Sequence, residues 1–374
     1  MTQPARAVTP DVTRRGPYRP DLLTLARQAR GLTQADLARA SGISQATISR
    51  LEDNGMPSDE QVGRLAAVLD FPIEFFFQPD PVYGFGVGEL FHRRRKTIPT
   101  RVLNAVHAEI NIRRIAVSRL LRALDLPAPD LPVVDRDEGP MSPEDAARAL
   151  RARWLLPAGP VRSVTEILAR AGILVIPGRF ESHQVDAIGL WPVQSPPLVF
   201  VNEDVSQDRL RLTLMHEVGH FVLHTGWGLV LGQEVEEEAN RFAAEFLAPA
   251  KEISPQLRDL TLAKLGQLKR HWRISMGALL VRAKELGCIT ERRYQSLWTE
   301  MGKLGYRKRE PREFDVTGER PGEALAEILR LHREELHYST DDLARITVQT
   351  PRQFREMFLG AATGPRLVSS GTRN

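Results

Sequence analysis

Two histidines four residues apart, His216 and His220, lie in the stretch Thr213-Leu-Met-His216-Glu217-Val-Gly-His220-Phe-Val-Leu-His224. On a helix they sit one above the other on the same face. Two imidazoles held that way can grip one Zn²⁺. Glu217 then stands beside the metal and can take a proton from a bound water. Leu212, Met215, Phe221 and Val222 give such a helix an apolar side to bury.

A catalytic zinc takes a third protein ligand and keeps one open position. His224 continues the spacing but lies about 12 Å along the axis from His216, at about 1.5 Å per residue. Zn–N bonds are about 2 Å, so one ion cannot reach both ends of an unbroken helix. The Gly226 that could break it comes after His224, too late. His224 is therefore expected to support a ligand, to act as a cation at the helix end, or to touch substrate. A better source of the third ligand is Gln233–Pro249, a second amphipathic helix with an apolar face of Ala239, Phe242, Ala243, Phe246 and Leu247, which Pro249 ends. Glu236, Asn240 and Ala243 share one stripe of that helix, so a carboxylate can point inward while Glu237 meets water.

The elements around these motifs narrow the reading. "RLTLMHEVGHFVLH" followed by "EEEANRFAAEFLAP" resembles the ImmA/IrrE family of zinc metallopeptidases. Three upstream stretches, Ala171–Ile176, Val185–Trp191 and Leu198–Asn202, resemble its strands, and the likeness spans roughly residues 142–311. It implies that His216, His220 and Glu236 hold zinc and that Glu217 is the catalytic base. Glu236 is preferred to Glu234 and Glu238 because the family's ligand lies four residues before the Asn, here Asn240. Asn240 and His224 are then expected to touch the ligands or the substrate.

A second motif lies near the start of the chain. Thr33 caps Gln34–Ala40, Ser41-Gly42-Ile43 turns the chain, and Ser44 caps Gln45–Glu52. Leu37, Ala38, Ile43, Ile48 and Leu51 hold the two short helices at a fixed angle, which is helix-turn-helix spacing. Val62, Leu65, Ala66 and Leu69 mark a further helix. "LTQADLARASGISQATISRLEDNG" resembles the XRE (Cro/CI-type) DNA-binding family over about residues 20–77. By that likeness Gln45, Ala46, Ser49 and Arg50 face base edges in the major groove, and Gln34 and Thr47 contact phosphates. Such proteins bind duplex operators as homodimers on two half-sites.

The chain has 374 residues, a net charge of +4 and an isoelectric point near 9.4, a mild basic bias that allows nucleic-acid binding. Its one cysteine, Cys288, excludes a disulfide framework or a cysteine metal site. No apolar run reaches a membrane span, and no apolar leader is present, so a cytoplasmic protein without membrane partners is expected.

The expected layout is a basic flexible arm at 1–19, the helix-turn-helix domain at 20–80, and a connector at 81–141 with one long helix and a Pro-rich linker. The metallopeptidase domain follows at 142–311. A small helical appendage and a disordered tail fill 312–374. The basic run Phe91–Lys96 could add phosphate contacts. The fold class is multidomain: an all-α helix-turn-helix domain, then an α+β zincin-like domain with helical C-terminal additions. The function expected is a stress-linked transcriptional regulator that cleaves a repressor-like protein or itself. Two alternatives remain: a non-proteolytic factor whose zinc domain senses a ligand, the metal or a partner, and an antitoxin-like repressor of a toxin–antitoxin or prophage module.

Overall fold

The computed structural model describes residues 16–84, 99–134, 141–180, 182, 184–193, 195–224 and 233–360. The arm before residue 16, the run Phe91–Lys96, Gly226 and the tail beyond 360 lie outside the described residues. Contacts divide the chain into two units, one of 1–84, 100–124 and 332–374, the other of 85–99 and 125–331.

The first unit starts with four helices, α1 Pro20–Ala29, α2 Gln34–Ser41, α3 Gln45–Asp53 and α4 Asp59–Leu69. Each of the last three begins at a hydroxyl cap. Thr33, Ser44 and Ser58 accept from the backbone N–H three residues on, and Asp36 and Gln61 return the bond in two of them. Leu22, Leu37, Ile48, Leu51 and Leu65 meet in one core, closed by Phe75 and Phe76 of a 3₁₀ turn.

The described part of the stretch expected as a connector at 81–141 is divided between the two cores. Its helix, α5 Thr100–Leu121, places Ala108, Ile112 and Ile115 in the core of the first unit. Burial on several sides explains this: Leu103, Val106, Ile110 and Leu120 are covered as well. The Pro-rich part instead belongs to the second unit, where Leu131 is core and Val134 N–H donates to Val222 O at 2.8 Å. The C-terminal appendage also divides. Val348 joins the first core, and Arg352 pairs with Asp70 at 2.7 Å, whereas Glu319 is buried in the second unit.

The second unit opens with α6 Pro143–Arg153 and α7 Val164–Arg170. A three-stranded sheet follows, β1 Leu174–Gly178, β2 Ala187–Leu190 and β3 Leu198–Asn202, in the order β1-β3-β2. β1 runs parallel to β3, and β2 antiparallel to it, with Gly189 opposite Val199. Then come α8 Gln207–His224 and α9 Gln233–Leu247, which pack along each other. Short α10 Ala250–Ile253 leads to α11 Leu262–Trp272, α12 Met276–Glu285, α13 Glu291–Lys303 and α14 Glu323–Glu334. Thr261 caps the start of α11. No helix among the described residues is long and apolar enough to cross a membrane.

Candidate metal centre and DNA-binding face

α8 is anchored at its first half and buried along its second. Arg211, without exposed side-chain surface, pairs with Glu319, which has none either. Asp208 accepts from Lys269 Nζ at 2.6 Å, and Lys269 also reaches Glu310 at 2.7 Å. Beyond these ties every residue from Leu214 to His224 is buried. At Gly219 the partner helix comes close. A Cβ there would stand 3.2 Å from Ala239 Cα and 3.2 Å from Phe242 Cδ1. That approach lets a side chain of α9 reach the histidines of α8.

Glu236 is the side chain that does so. His216 Nε2 and His220 Nε2 are 3.0 Å apart, and Glu236 lies 3.3 Å from the first and 3.4 Å from the second. All three side chains are buried, and their ligand atoms lie within 4.8 Å of one another. Donors bound at about 2.0–2.1 Å around a tetrahedral ion stand about 3.4 Å apart, so this spacing suits Zn²⁺. Glu236 Oε1 is buried without a hydrogen-bond donor, and a cation would satisfy it. The residues present fit a divalent metal.

The far nitrogens of both rings are engaged. His216 Nδ1 is 3.0 Å from Asn240 Oδ1. His220 Nδ1 is 3.0 Å from His224 Nδ1, and His224 Nε2 is 3.0 Å from Glu238 Oε2. An acceptor behind each ring holds the proton on Nδ1 and frees Nε2 for a metal. Sequence reasoning placed His224 and Asn240 beside the ligands, but it missed Glu238, which pairs with His224. Glu234 and Glu237 are exposed.

The charges of this cluster sustain one another. Burial presses the His216 imidazolium down, yet the bond to Glu236 and the charges of Glu217 and Glu236 outweigh it and raise its pKa. Burial presses Glu236 up, and the neighbouring His216 and His220 imidazoles reverse that, leaving it well below the carboxylate range. A carboxylate held ionised in a buried pocket is the state a metal needs.

Glu217 is buried on the same helix and faces the sheet. Its Oε2 accepts the backbone N–H of Gly189 at 2.8 Å. A Cβ at Gly189 would stand 2.8 Å from that oxygen and 2.8 Å from Phe221 Cζ. Sequence reasoning missed this contact, although a glycine inside a four-residue strand is a sign of close approach.

On the first unit, Gln45, Ala46, Ser49 and Arg50 are exposed along α3. Thr47 is half-buried, with its hydroxyl 2.9 Å from Ser44 Oγ. Gln34 turns inward, and its amide nitrogen donates to Glu52 Oε2 at 2.9 Å. Four of the six residues assigned to DNA thus form one open face, and two are engaged within the domain.

Residues 23–76 match the helix-turn-helix family model, and residues 168–284 match that of the IrrE N-terminal-like domain, Peptidase M78. The chain thus carries a helix-turn-helix match followed by an IrrE N-terminal-like match. The IrrE N-terminal-like match includes the sheet, α8 and α9, and so all three donors and Glu217. α5 and everything beyond residue 284 lie outside both matches. No curated protein and no solved structure matches the chain.

Proposed function

We propose that the chain is a DNA-binding transcriptional regulator whose IrrE N-terminal-like domain is a zinc-dependent endopeptidase. Its substrate is a repressor-like protein or the chain itself, and it binds duplex DNA as a homodimer. The observation that carries the peptidase reading is the buried His216, His220 and Glu236 cluster with the orphaned Glu236 Oε1, set beside Glu217.

His216 Nε2, His220 Nε2 and the Glu236 carboxylate would hold the ion. A bound zinc supplies Lewis acidity, lowering the pKa of water and polarising the scissile carbonyl. Glu217 takes the proton of the attacking water and delivers it to the leaving amine. The Gly189 N–H donates to Oε2 and so orients the carboxylate. Asn240, and His224 backed by Glu238, fix the ring planes of the two histidines.

The test is cleavage. Zinc-loaded wild type and Glu217→Gln are incubated with the full chain itself and with an unfolded generic protein. Cleavage by wild type and its loss in Glu217→Gln, with zinc retained, is the expected result. Equal cleavage by both would refute the assignment. Bound zinc with no cleavage of either substrate would favour a domain that senses ligand or metal.

A further inference from the structure

The first unit carries a cationic cleft at the start of α3. Gly31, Thr33, Gln34 and Gln45 are part of its wall, together with Arg101 and Asn104 of α5. These last two residues lie outside the helix-turn-helix match. Arg101 is exposed. Its guanidinium occupies the space above Gly31, where a Cβ would stand 3.7 Å from Nη2.

The charge of Arg101 is not spent inside the protein. The carboxylate that feels it is Asp36, which closes the α2 capping box by accepting from Thr33 N–H at 3.0 Å and Thr33 Oγ1 at 2.7 Å. Glu52, the acid behind the cleft, is taken by Arg27 at 2.5 Å and by Gln34. Among the described residues Arg101 has no ion-pair partner.

The geometry points to Arg101 as a ligand for a DNA backbone phosphate, supplied by a helix that is not part of the helix-turn-helix motif. The inference rests on the DNA-binding reading of α3. In helix-turn-helix docking the N-terminal residues of the second helix reach base edges, and the sugar-phosphate strands pass on either side. Gln45 is at that end of α3, and the cleft beside it lies where such a strand passes. A guanidinium there binds phosphate without reading sequence.

The experiment uses the full chain and two duplexes, one selected by the wild type from a random pool and one of unselected sequence. Affinity is measured across a salt series. Arg101→Ala should weaken both duplexes by a similar factor, roughly 5- to 10-fold at 0.1 M salt, and reduce the log–log salt slope by about 0.9. Arg101→Lys should keep the slope. Gln45→Ala should instead reduce the preference for the selected duplex and leave the slope unchanged. Unaltered affinity and slope in Arg101→Ala would overturn the proposal, as would a loss confined to the selected duplex. If the wild type binds neither duplex, the DNA-binding reading itself fails and takes this inference with it.

Discussion

Replacing Glu319 with glutamine should unlock the helix that carries His216 and His220, two of the three proposed metal ligands. Glu319 accepts from Val164 N–H at 3.1 Å, Thr165 N–H at 2.9 Å and Thr165 Oγ1 at 2.9 Å, and it pairs with Arg211 of α8. Neither side chain of the pair has exposed surface. Glutamine keeps an acceptor for the start of α7 but leaves the Arg211 guanidinium buried without a counter-charge. Breaking one side of a buried pair costs about 3–5 kcal/mol. At about 2–4 °C per kcal/mol for a unit of this size, the transition should fall by roughly 6–20 °C. Arg211→Met combined with Glu319→Gln should recover about 2–3 kcal/mol relative to the sum of the single variants.

The pH dependence has a definite sign. Burial would raise the Glu319 pKa, but the Arg211 charge and the N–H groups of Thr165 and Val164 outweigh it and hold it low. A depressed carboxyl contributes stability above its unfolded value, about 4.3, and loses it as pH falls through the folded one. The gap between wild type and Glu319→Gln should therefore be full at neutral pH and shrink below about pH 4. Burial lowers the Arg211 pKa as well, against the opposing charge of Glu319, yet an arginine stays charged across this range. Thermal melts by circular dichroism from pH 3 to 8 are the assay. A cost under about 1 kcal/mol at pH 7, or additive single variants, would refute the reasoning.

Three further outcomes are expected. Gly189→Ala places a Cβ 2.8 Å from Glu217 Oε2, so cleavage should fall about 10²- to 10⁴-fold with zinc content unchanged; full activity would show that this amide does not position Glu217. Asn240→Ala removes the acceptor behind His216 and should weaken zinc binding about 10- to 100-fold in a chelator competition, an unchanged affinity counting against that role. Arg50→Ala, at an exposed position of α3, should cost about 1–3 kcal/mol on a selected duplex and little on an unselected one; equal losses on both would make it a phosphate contact.

The local parts of this molecule were legible in its sequence. Caps at Thr33 and Ser44 and the apolar positions between them mark the helix-turn-helix, because a cap and a helical period involve only neighbouring residues. The spacing of His216, Glu217 and His220 marks the candidate metal-binding helix for the same reason. Glu236 needed a family pattern, since Glu234, Glu236 and Glu238 could each have served. What stayed hidden depends on distant partners. Glu319 lies 108 residues from Arg211, and a boundary drawn at residue 311 separates it from the domain it locks. α5 reads as a connector because periodicity shows that a helix has apolar sides, not which core they enter. The Gly189 amide carries no side-chain signal at all.

Metal content tests the central claim most directly. Wild type, Glu217→Gln and Glu236→Gln are purified, equilibrated with zinc, passed over a desalting column and measured by mass spectrometry. One zinc per chain in wild type and Glu217→Gln, with loss in Glu236→Gln, is the result this account predicts. A wild type without stoichiometric metal, or a Glu236→Gln that holds zinc as tightly as wild type, would contradict it.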